Sequence, residues 1–429
     1  MKNKNYPLRS RKLIVFLYGL AYSAELAIRQ PKAFVVLLSR KIYHLLPLSA
    51  STKAGMKGWL YRNLPSLFSH TLSYRSWKSR MAGSVPSSAL SEKGKLSDYQ
   101  LRVNQEIATY AEQINVHDLP DISNYWSDKY ITPMCKEAGF ETMPAFFAQN
   151  LLASSIRTGN KSARFVSVGA GNCDLEVKVA KELLQLGCID FVIECLELNE
   201  AMMQRGRELA KQEGVSDHLF FVQADFNTWI PEKTYDAVMA SQSLHHVTNL
   251  EYLFEQIYSS LHDKGAFAIS DMIGRNGHQR WPESLAMVHR FWAELPRNYK
   301  YNVLLERHEE QYENWDCSTE GFEGIRAQDI LPLLMKKFHC EKFIGFGSAI
   351  DIFVDRCFGH NFDPKSQWDM NFIDRVHQAD EMGLKSGELT PTHMIAVFVK
   401  VPVASPFYSR GITPEASIRV DIQKKKWFA

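Results

Sequence analysis

A handful of residues in the middle of this chain could do chemistry together. Gly169 and Gly171, separated by Ala170, follow directly on the β-branched and aromatic run 164–168. Glu197 closes the next apolar run, 191–196, and Asp225 closes the one after it, 219–224. Ser241, His245 and His246 come behind a fourth run, 235–240; Asp271 ends a fifth, 265–270, and His278 follows in a glycine-containing loop. Glycine between a strand and a helix accepts a positive φ and lets backbone approach a ligand closely. A carboxylate at a strand tip accepts hydrogen bonds from a diol or an amine, each charge-assisted bond contributing roughly 1.5–3 kcal/mol. Histidine exchanges protons near neutral pH. Together these types describe a nucleotide-like cofactor held by backbone and carboxylates, beside groups able to take a proton.

Those residues can act together only if something places them on one edge. Behind the glycine pair, Leu175, Val177, Val179, Ala180, Leu183 and Leu184 recur at helical spacing, and Met202, Met203, Leu209 and Ala210 do so behind Glu197. Strand runs alternating with such stripes five times predict parallel strands covered by helices, with every strand tip on the same side. A helix over 324–338, a sixth strand over 341–346 and a seventh over 392–399 complete the pattern. In open α/β sheets, ligands bind at the carboxyl ends of the strands. The glycine spacing differs from a dinucleotide site, which wants G-x-G-x-x-G; here Asp174 follows Cys173, and an acid is unwelcome beside a pyrophosphate.

Four signatures stand in one order: Val168-Gly169-Ala170-Gly171, Glu197-Leu198-Asn199, Gln223-Ala224-Asp225-Phe226, and Tyr235-Asp236-Ala237-Val238 with Ser243-Leu244-His245-His246-Val247. Over roughly 164–273 the chain resembles the class I S-adenosylmethionine-dependent methyltransferases. That resemblance implies a doubly wound, seven-stranded, mostly parallel Rossmann-like sheet, with a helical N-terminal arm and helical inserts added to it. It implies S-adenosyl-L-methionine as cofactor and methyl transfer as activity. Gly169, Ala170 and Gly171 would pass under the methionyl part, and Glu197, flanked by Leu198, would hold the ribose diol. Asp225 would take the adenine amino group with Phe226 beside the ring, and Ser241 would add a contact from strand four. Cys173 stands where the family often has a third glycine, and a longer helix precedes Glu197. Glu194 is therefore a second candidate for the ribose, although alternation puts it on the opposite side of the strand from Glu197.

Methyl transfer needs alignment of the acceptor and exclusion of water, with a general base when the acceptor is a hydroxyl or an ammonium. His278 is the first candidate base because it follows the loop of strand five; His245 and His246, on the rim of strand four, come next. Each of the three could instead be a hydrogen-bonded structural residue. Asp271 could orient an acceptor hydroxyl or the methionyl amine, or cap a turn. Tyr125, Trp126 and Lys129 could reach the cofactor from leading helices, and core packing is the other reading of the two aromatics. Inserts at 274–320 and 351–391 are expected to build the acceptor pocket. The histidines show no metal-ligand spacing, since His245 and His246 are adjacent, and no metal is expected.

Composition and charge bound the rest. Apolar residues make up 45% and aromatics 12% of 429 residues, enough for one large domain with appendages. Seven cysteines form no C-x-x-C pair, which reads as reduced thiols in a cytoplasmic protein. The net charge of +2 hides an asymmetry: residues 1–95 carry 17 Lys+Arg against Glu25 and Glu92, leaving 33 basic and 46 acidic residues beyond. Such an arm and linker could lie on an anionic membrane face, bind a protein partner, pack on the domain or mimic a secretory signal. Its apolar runs fall short of the roughly 20 residues of a spanning helix. Helices over 96–160 should lead into a catalytic domain over 161–400, with 401–429 as a tail. The acidic body, and the lack of an Asn/Asp-Pro-Pro-aromatic tetrapeptide after strand four, argue against nucleic acid. The expected acceptor is a small molecule, glycan or lipid, methylated at a hydroxyl, at the cytoplasmic face of a membrane if the arm docks there. The alternative is a catalytically silent cofactor fold that scaffolds a membrane or assembly partner.

Overall fold

The computed structural model describes residues 98–111, 119–319 and 321–419. The basic arm expected over 1–95 lies outside the described residues. The strands are β1 (Ala163–Val168), β2 (Phe191–Glu197), β3 (Leu219–Gln223), β4 (Tyr235–Ser241), β5 (Leu261–Met272), β6 (Tyr301–Asn302), β7 (Arg307–His308), β8 (His339–Phe346), β9 (His393–Val399) and β10 (Phe407–Tyr408). The helices are α1 (Asp98–Ala111), α2 (Asp121–Trp126), α3 (Thr132–Glu137), α4 (Met143–Thr158), α5 (Asp174–Gln185), α6 (Glu200–Gln212), α7 (Leu250–Ser260), α8 (Pro282–Glu294), α9 (Ala327–Lys337), α10 (Asp351–Val354) and α11 (Gln367–Ser386).

One eight-stranded sheet runs in the order β10-β8-β9-β5-β4-β1-β2-β3, with β6 and β7 forming a separate small hairpin. β9 is antiparallel to both β5 and β8, and every other pairing in the large sheet is parallel. This is the expected doubly wound, mostly parallel architecture, with one strand more than the sequence suggests. The extra strand, β10, comes from residues read as a tail; it pairs in parallel with β8 at Lys342 and Phe343.

Alternation along the central strands explains why both faces are covered. Phe165, Ala237, Met239, Ala266 and Ala268 are buried on the face packed by α4 and α5, with Leu151, Val179 and Leu183. Val166, Val168, Val238, Ala240, Phe267 and Ile269 are buried on the other, with Leu253 and Ile257 of α7 and Leu334 of α9. A strand buried on both sides reads as a near-continuous apolar run, as 237–240 and 266–269 do. The first insert carries α8 and the β6–β7 hairpin, and the second carries α10 and α11. A buried aromatic group joins them: Trp292 of α8 meets Phe358 at 4.8 Å between ring centres, and Phe291 meets Phe372 of α11 at 6.0 Å.

Candidate functional site

Where β1 stops, the backbone turns into the left-handed region at Gly169 (φ +75°) and Gly171 (φ +56°). A Cβ on Gly169 would stand 2.4 Å from Ser243 Cβ, so no other residue fits there without moving the strand-four loop. Ser243 Oγ donates to the Val168 carbonyl (2.6 Å), locking that loop against the end of β1. Ala170 N donates to the Leu196 carbonyl (2.9 Å), which brings the glycine turn to the tip of β2.

Glu197 is buried at that tip. Its Oε2 accepts from Gly171 N (2.9 Å) and its Oε1 from Asn199 N (2.8 Å). Burial pushes its carboxyl up, against the pull of these backbone donors. Leu198 and Ser241 are half-buried at the tips of β2 and β4. Glu194 faces elsewhere: it accepts from the Tyr235 hydroxyl (2.9 Å) and lines a separate groove with Phe220 and Lys233. Cys173, with φ +57°, is buried at the start of α5. It sits against Gly206, where a Cβ would meet its Sγ at 3.1 Å.

Asp225 lies two residues past the end of β3, in a loop rather than on the strand. Its Oδ1 accepts from Asn227 N (2.9 Å) and its Oδ2 from the hydroxyl of Tyr99 (2.6 Å). Phe226 lies beside the glycine turn, its Cε2 3.7 Å from where a Gly169 Cβ would be. Tyr99 belongs to α1, which crosses the strand tips. The Ile107 carbonyl of α1 accepts from Asn199 Nδ2 (3.0 Å), and the Tyr110 carbonyl accepts from Arg205 (3.1 Å). Glu106 Oε1 stands 2.8 Å from His246 Nδ1. Neither Tyr99 nor Glu106 stood out in the sequence, because an amphipathic helix does not announce which polar residue it will aim at a strand tip.

The three candidate histidines converge. Asp271, fully buried at the end of β5, accepts from Ser243 N (2.9 Å) and Leu244 N (2.8 Å) with one oxygen. Its other oxygen is 2.6 Å from His245 Nδ1. The far side of the His245 ring faces Glu323, with Nε2 3.5 Å from Oε1. The same Oε1 lies 2.6 Å from His278 Nε2, and Oε2 lies 3.6 Å from His246 Nε2. Glu323 precedes α9 in a stretch bounded by Gly321 and Gly324; nothing in its neighbourhood marks it as functional before folding. His278 has φ +53°, and its ring packs on Gly324, where a Cβ would stand 3.0 Å from Cε1. Buried Arg280 donates to the His278 carbonyl (2.8 Å) and to Asp351 (2.6 Å), tying the first insert to the second.

Electrostatics separate the roles. Burial would lower His245, but the charge and hydrogen bond of Asp271, with Glu323 behind, push it up to about 10. At neutral pH it is a cation between two carboxylates. Burial outweighs Glu323 at His278 and lowers its pKa, so this imidazole stays uncharged. Burial would raise Glu323, but His246, His245 and His278 hold it well below the usual carboxylate range. The arrangement can therefore place a neutral proton acceptor beside a fixed positive charge.

Tyr125, Trp126 and Lys129 are not part of this edge. The Tyr125 hydroxyl (2.9 Å) and Lys129 Nζ (2.7 Å) donate to Asp374 of α11, and Trp126 Nε1 donates to His377 (3.2 Å). They clamp α2 and the π-helical turn after it onto α11. That corrects their reading as cofactor contacts and fits the packing alternative for the aromatics.

Residues 160–317 match a family described as a methyltransferase domain. A sterol 24-C-methyltransferase of Gibberella zeae is 28% identical over 113 residues, covering 23% of this chain and 30% of that protein. A 27-O-demethylrifamycin SV methyltransferase of Amycolatopsis mediterranei is 24% identical over 190 residues, covering 41% of this chain and 68% of that protein. The chain thus spans under a third of the sterol methyltransferase it matches. Among solved structures, the O-methyltransferase of a trans-AT polyketide synthase multienzyme of Brevibacillus brevis, in complex with S-adenosyl-L-homocysteine, aligns at a TM-score of 0.34. It is 13% identical, over 67% of this chain and 85% of that one.

Proposed function

The domain matched at residues 160–317 belongs to the class I S-adenosylmethionine-dependent methyltransferases, and from that premise we propose that this chain methylates a hydroxyl of a small-molecule, glycan or lipid acceptor. One observation carries the reading: the Gly171–Glu197 unit and the histidines gathered on Glu323 share the carboxyl edge of one sheet. The residues present fit the cofactor. The turn at Gly169 tolerates no side chain, and each Glu197 oxygen, having accepted one backbone N–H, keeps a lone pair for a ribose hydroxyl. Asp225 with Phe226 would hold adenine, while Ala170, Leu198 and Ser241 would line the cradle.

When bound, S-adenosylmethionine supplies a methyl group already activated on a sulfonium. The protein's own work is to align an acceptor, exclude water and take a proton. α1, through Tyr99, Glu106 and Tyr110, roofs the strand tips. His278, uncharged and aimed by its strained backbone, takes the proton of the acceptor hydroxyl. His245, held by Asp271, keeps the cluster oriented and stabilises the charge left on oxygen. The relatives are named for transfer to a sterol carbon and to a rifamycin oxygen; a cluster built to accept a proton favours oxygen. Residues 1–95 would bring the domain to an anionic membrane surface or a protein partner. Among the described residues no helix is long and apolar enough to cross a membrane.

The test is labelled methyl transfer from S-adenosylmethionine to fractionated lipids, glycans and small polar metabolites, with isothermal titration of the cofactor alongside. Labelling of a hydroxyl-bearing fraction supports the reading. Absence of cofactor binding at high micromolar concentration leaves a silent fold instead.

A further inference from the structure

The cluster around Glu323 has the composition of a metal site as well as that of a base. His245 from the strand-four rim, His278 from the loop after β5 and Glu323 from the segment before α9 each offer one ligand atom, and the three atoms all lie within 4.8 Å of one another. His245 Nε2 is 3.5 Å and His278 Nε2 is 2.6 Å from Glu323 Oε1. Around a zinc ion, ligand atoms at about 2.0–2.2 Å in tetrahedral array stand roughly 3.4 Å apart. Small shifts of the Glu323 carboxylate and the His278 ring would reach that spacing from these distances. We propose that His245, His278 and Glu323 bind one divalent transition-metal ion of the zinc, manganese or iron(II) kind, which holds the acceptor's oxygen. The proposal deepens the functional reading above and rests on it for the statement that the cluster faces the acceptor.

Three features go beyond mere proximity. The first is the partner behind His245. Its Nδ1 is 2.6 Å from Asp271 Oδ1, and Asp271 is itself fixed by the backbone N–H groups of Ser243 and Leu244. A carboxylate on the remote nitrogen orients the ring and raises the basicity of Nε2, whose proton a bound ion would displace.

The second is the strain invested in His278. It is a non-glycine residue at φ +53°, next to Gly277 at φ +63°, and the two loops are joined by the Gly277 N–H to the Gly324 carbonyl (2.8 Å). Strained backbone persists where surrounding structure over-determines it, and here it aims one ring at Glu323.

The third is openness on one side only. The His245 side chain is 4% exposed and that of His278 18%, whereas Glu323 is 38% exposed. An ion held by three protein atoms there would keep positions for an acceptor oxygen, as catalytic sites require. Two nitrogens and one oxygen suit zinc, iron(II) or manganese and disfavour calcium or magnesium, which want oxygen ligands. The ion would lower the pKa of the bound hydroxyl. The O–H bond breaks, the electron pair stays on the metal-bound oxygen and the proton leaves to solvent water on the exposed side of Glu323. A proton and an ion compete for the same lone pairs, so without the ion the cluster works through His278 as base.

The experiment uses the full chain, stripped with a chelator, dialysed and titrated with cobalt(II) while its visible absorption is followed. Metal content is then measured after equilibration with excess zinc(II). The expected result is one ion per chain and the absorption of a low-coordinate nitrogen and oxygen site. His278→Ala and Glu323→Gln should each weaken binding by at least about 100-fold, and Asp271→Asn by about 10–100-fold, the range for an outer partner. Glu323→Gln is nearly isosteric at a partly exposed position, and thermal unfolding of each variant checks that the fold is intact. His308→Ala, on the exposed hairpin, should bind as the parent does. No binding in excess metal, or binding unchanged in both His278→Ala and Glu323→Gln, overturns the proposal. The two readings fail separately. Undiminished methyl transfer by ion-free protein removes the metal and leaves the transferase; an ion bound by a chain that neither binds cofactor nor labels any acceptor does the reverse.

Discussion

Replacing Glu197 by alanine tests the proposed cofactor site at its most defined point. The carboxylate is buried, and each of its oxygens already accepts one backbone N–H, from Gly171 (2.9 Å) and Asn199 (2.8 Å). A ribose diol would add two hydrogen bonds to a charged acceptor, nominally about 1.5–3 kcal/mol each. Burial holds the Glu197 carboxyl up in its pKa, so part of the charge advantage is already lost to desolvation, and the lower end applies. The expected cost to S-adenosylmethionine binding is about 2–3 kcal/mol, or roughly 30- to 150-fold in Kd at 25 °C. Glu197→Gln should also weaken binding, because its amide NH2 must face one of the two backbone N–H groups that the carboxylate accepts. Glu194→Ala should leave the affinity within about twofold, since its partners are Tyr235 and Lys233 on a different groove. Isothermal titration of the three variants, with circular dichroism to confirm folding, decides the matter. A larger loss in Glu194→Ala than in Glu197→Ala would refute the assignment of the ribose carboxylate.

Four further outcomes are expected. His278→Ala should lower turnover by about 10²–10⁴-fold with cofactor affinity unchanged, measured by steady-state kinetics and titration; near-normal turnover there, with loss in His245→Ala or His246→Ala, would move the base to the strand-four rim. Tyr99→Phe removes the hydroxyl that occupies Asp225 Oδ2 and should tighten S-adenosylmethionine by about 5–10-fold if hydroxyl and adenine compete; equal or weaker affinity would mean that they share the carboxylate. Glu176, buried in the first turn of α5 with Oε2 lacking any partner, has its carboxyl raised by burial from 4.5 to about 7. Below the unfolded pKa both states hold the proton; as pH rises towards 7 only the unfolded chain releases it, so folding loses stability up to that pH and no further. Glu176→Gln should therefore be more stable than the parent at pH 8, by up to about 3 kcal/mol in urea melts, and equal to it near pH 4. Deleting residues 1–95 should leave cofactor binding intact and abolish salt-sensitive binding to anionic vesicles; equal vesicle binding by both forms would exclude membrane docking.

Much of the scaffold was legible because its signals are local. Continuous apolar runs such as 237–240 and 266–269 belong to strands buried on both faces, and the stripes behind Gly171 and Glu197 belong to the helices that cover them. The glycine turn was readable for the same reason: a positive φ at Gly169 and Gly171 favours glycine, and at Gly169 the approach of Ser243 leaves no room for a Cβ. That Glu194 and Glu197 face opposite sides followed from the period of a strand, which assigns alternate residues to opposite sides. The eighth strand was not readable, since a two-residue pairing at Phe407 and Tyr408 has no pattern of its own.

The sequence by itself determined the sheet, its carboxyl edge and the kinds of side chain gathered there. Only the tertiary structure decided how those side chains meet. Glu323 stands 45 residues from His278 and 78 from His245, and no periodicity links such positions. Their meeting depends on Gly277 and Gly324 sharing a backbone hydrogen bond, and on Asp271 bringing the strand-four rim to the tip of β5. Tyr99 on Asp225 and Glu106 beside His246 depend likewise on where α1 crosses the strand tips. Lys129 and Trp126 went to α11 because a helix face packs on whichever neighbour the topology supplies. Strand and turn signals come from interactions within a few residues and survive in the linear pattern. A site assembled from loops of three elements comes from packing, and the positions of its charges exist only after the sheet has brought those loops together.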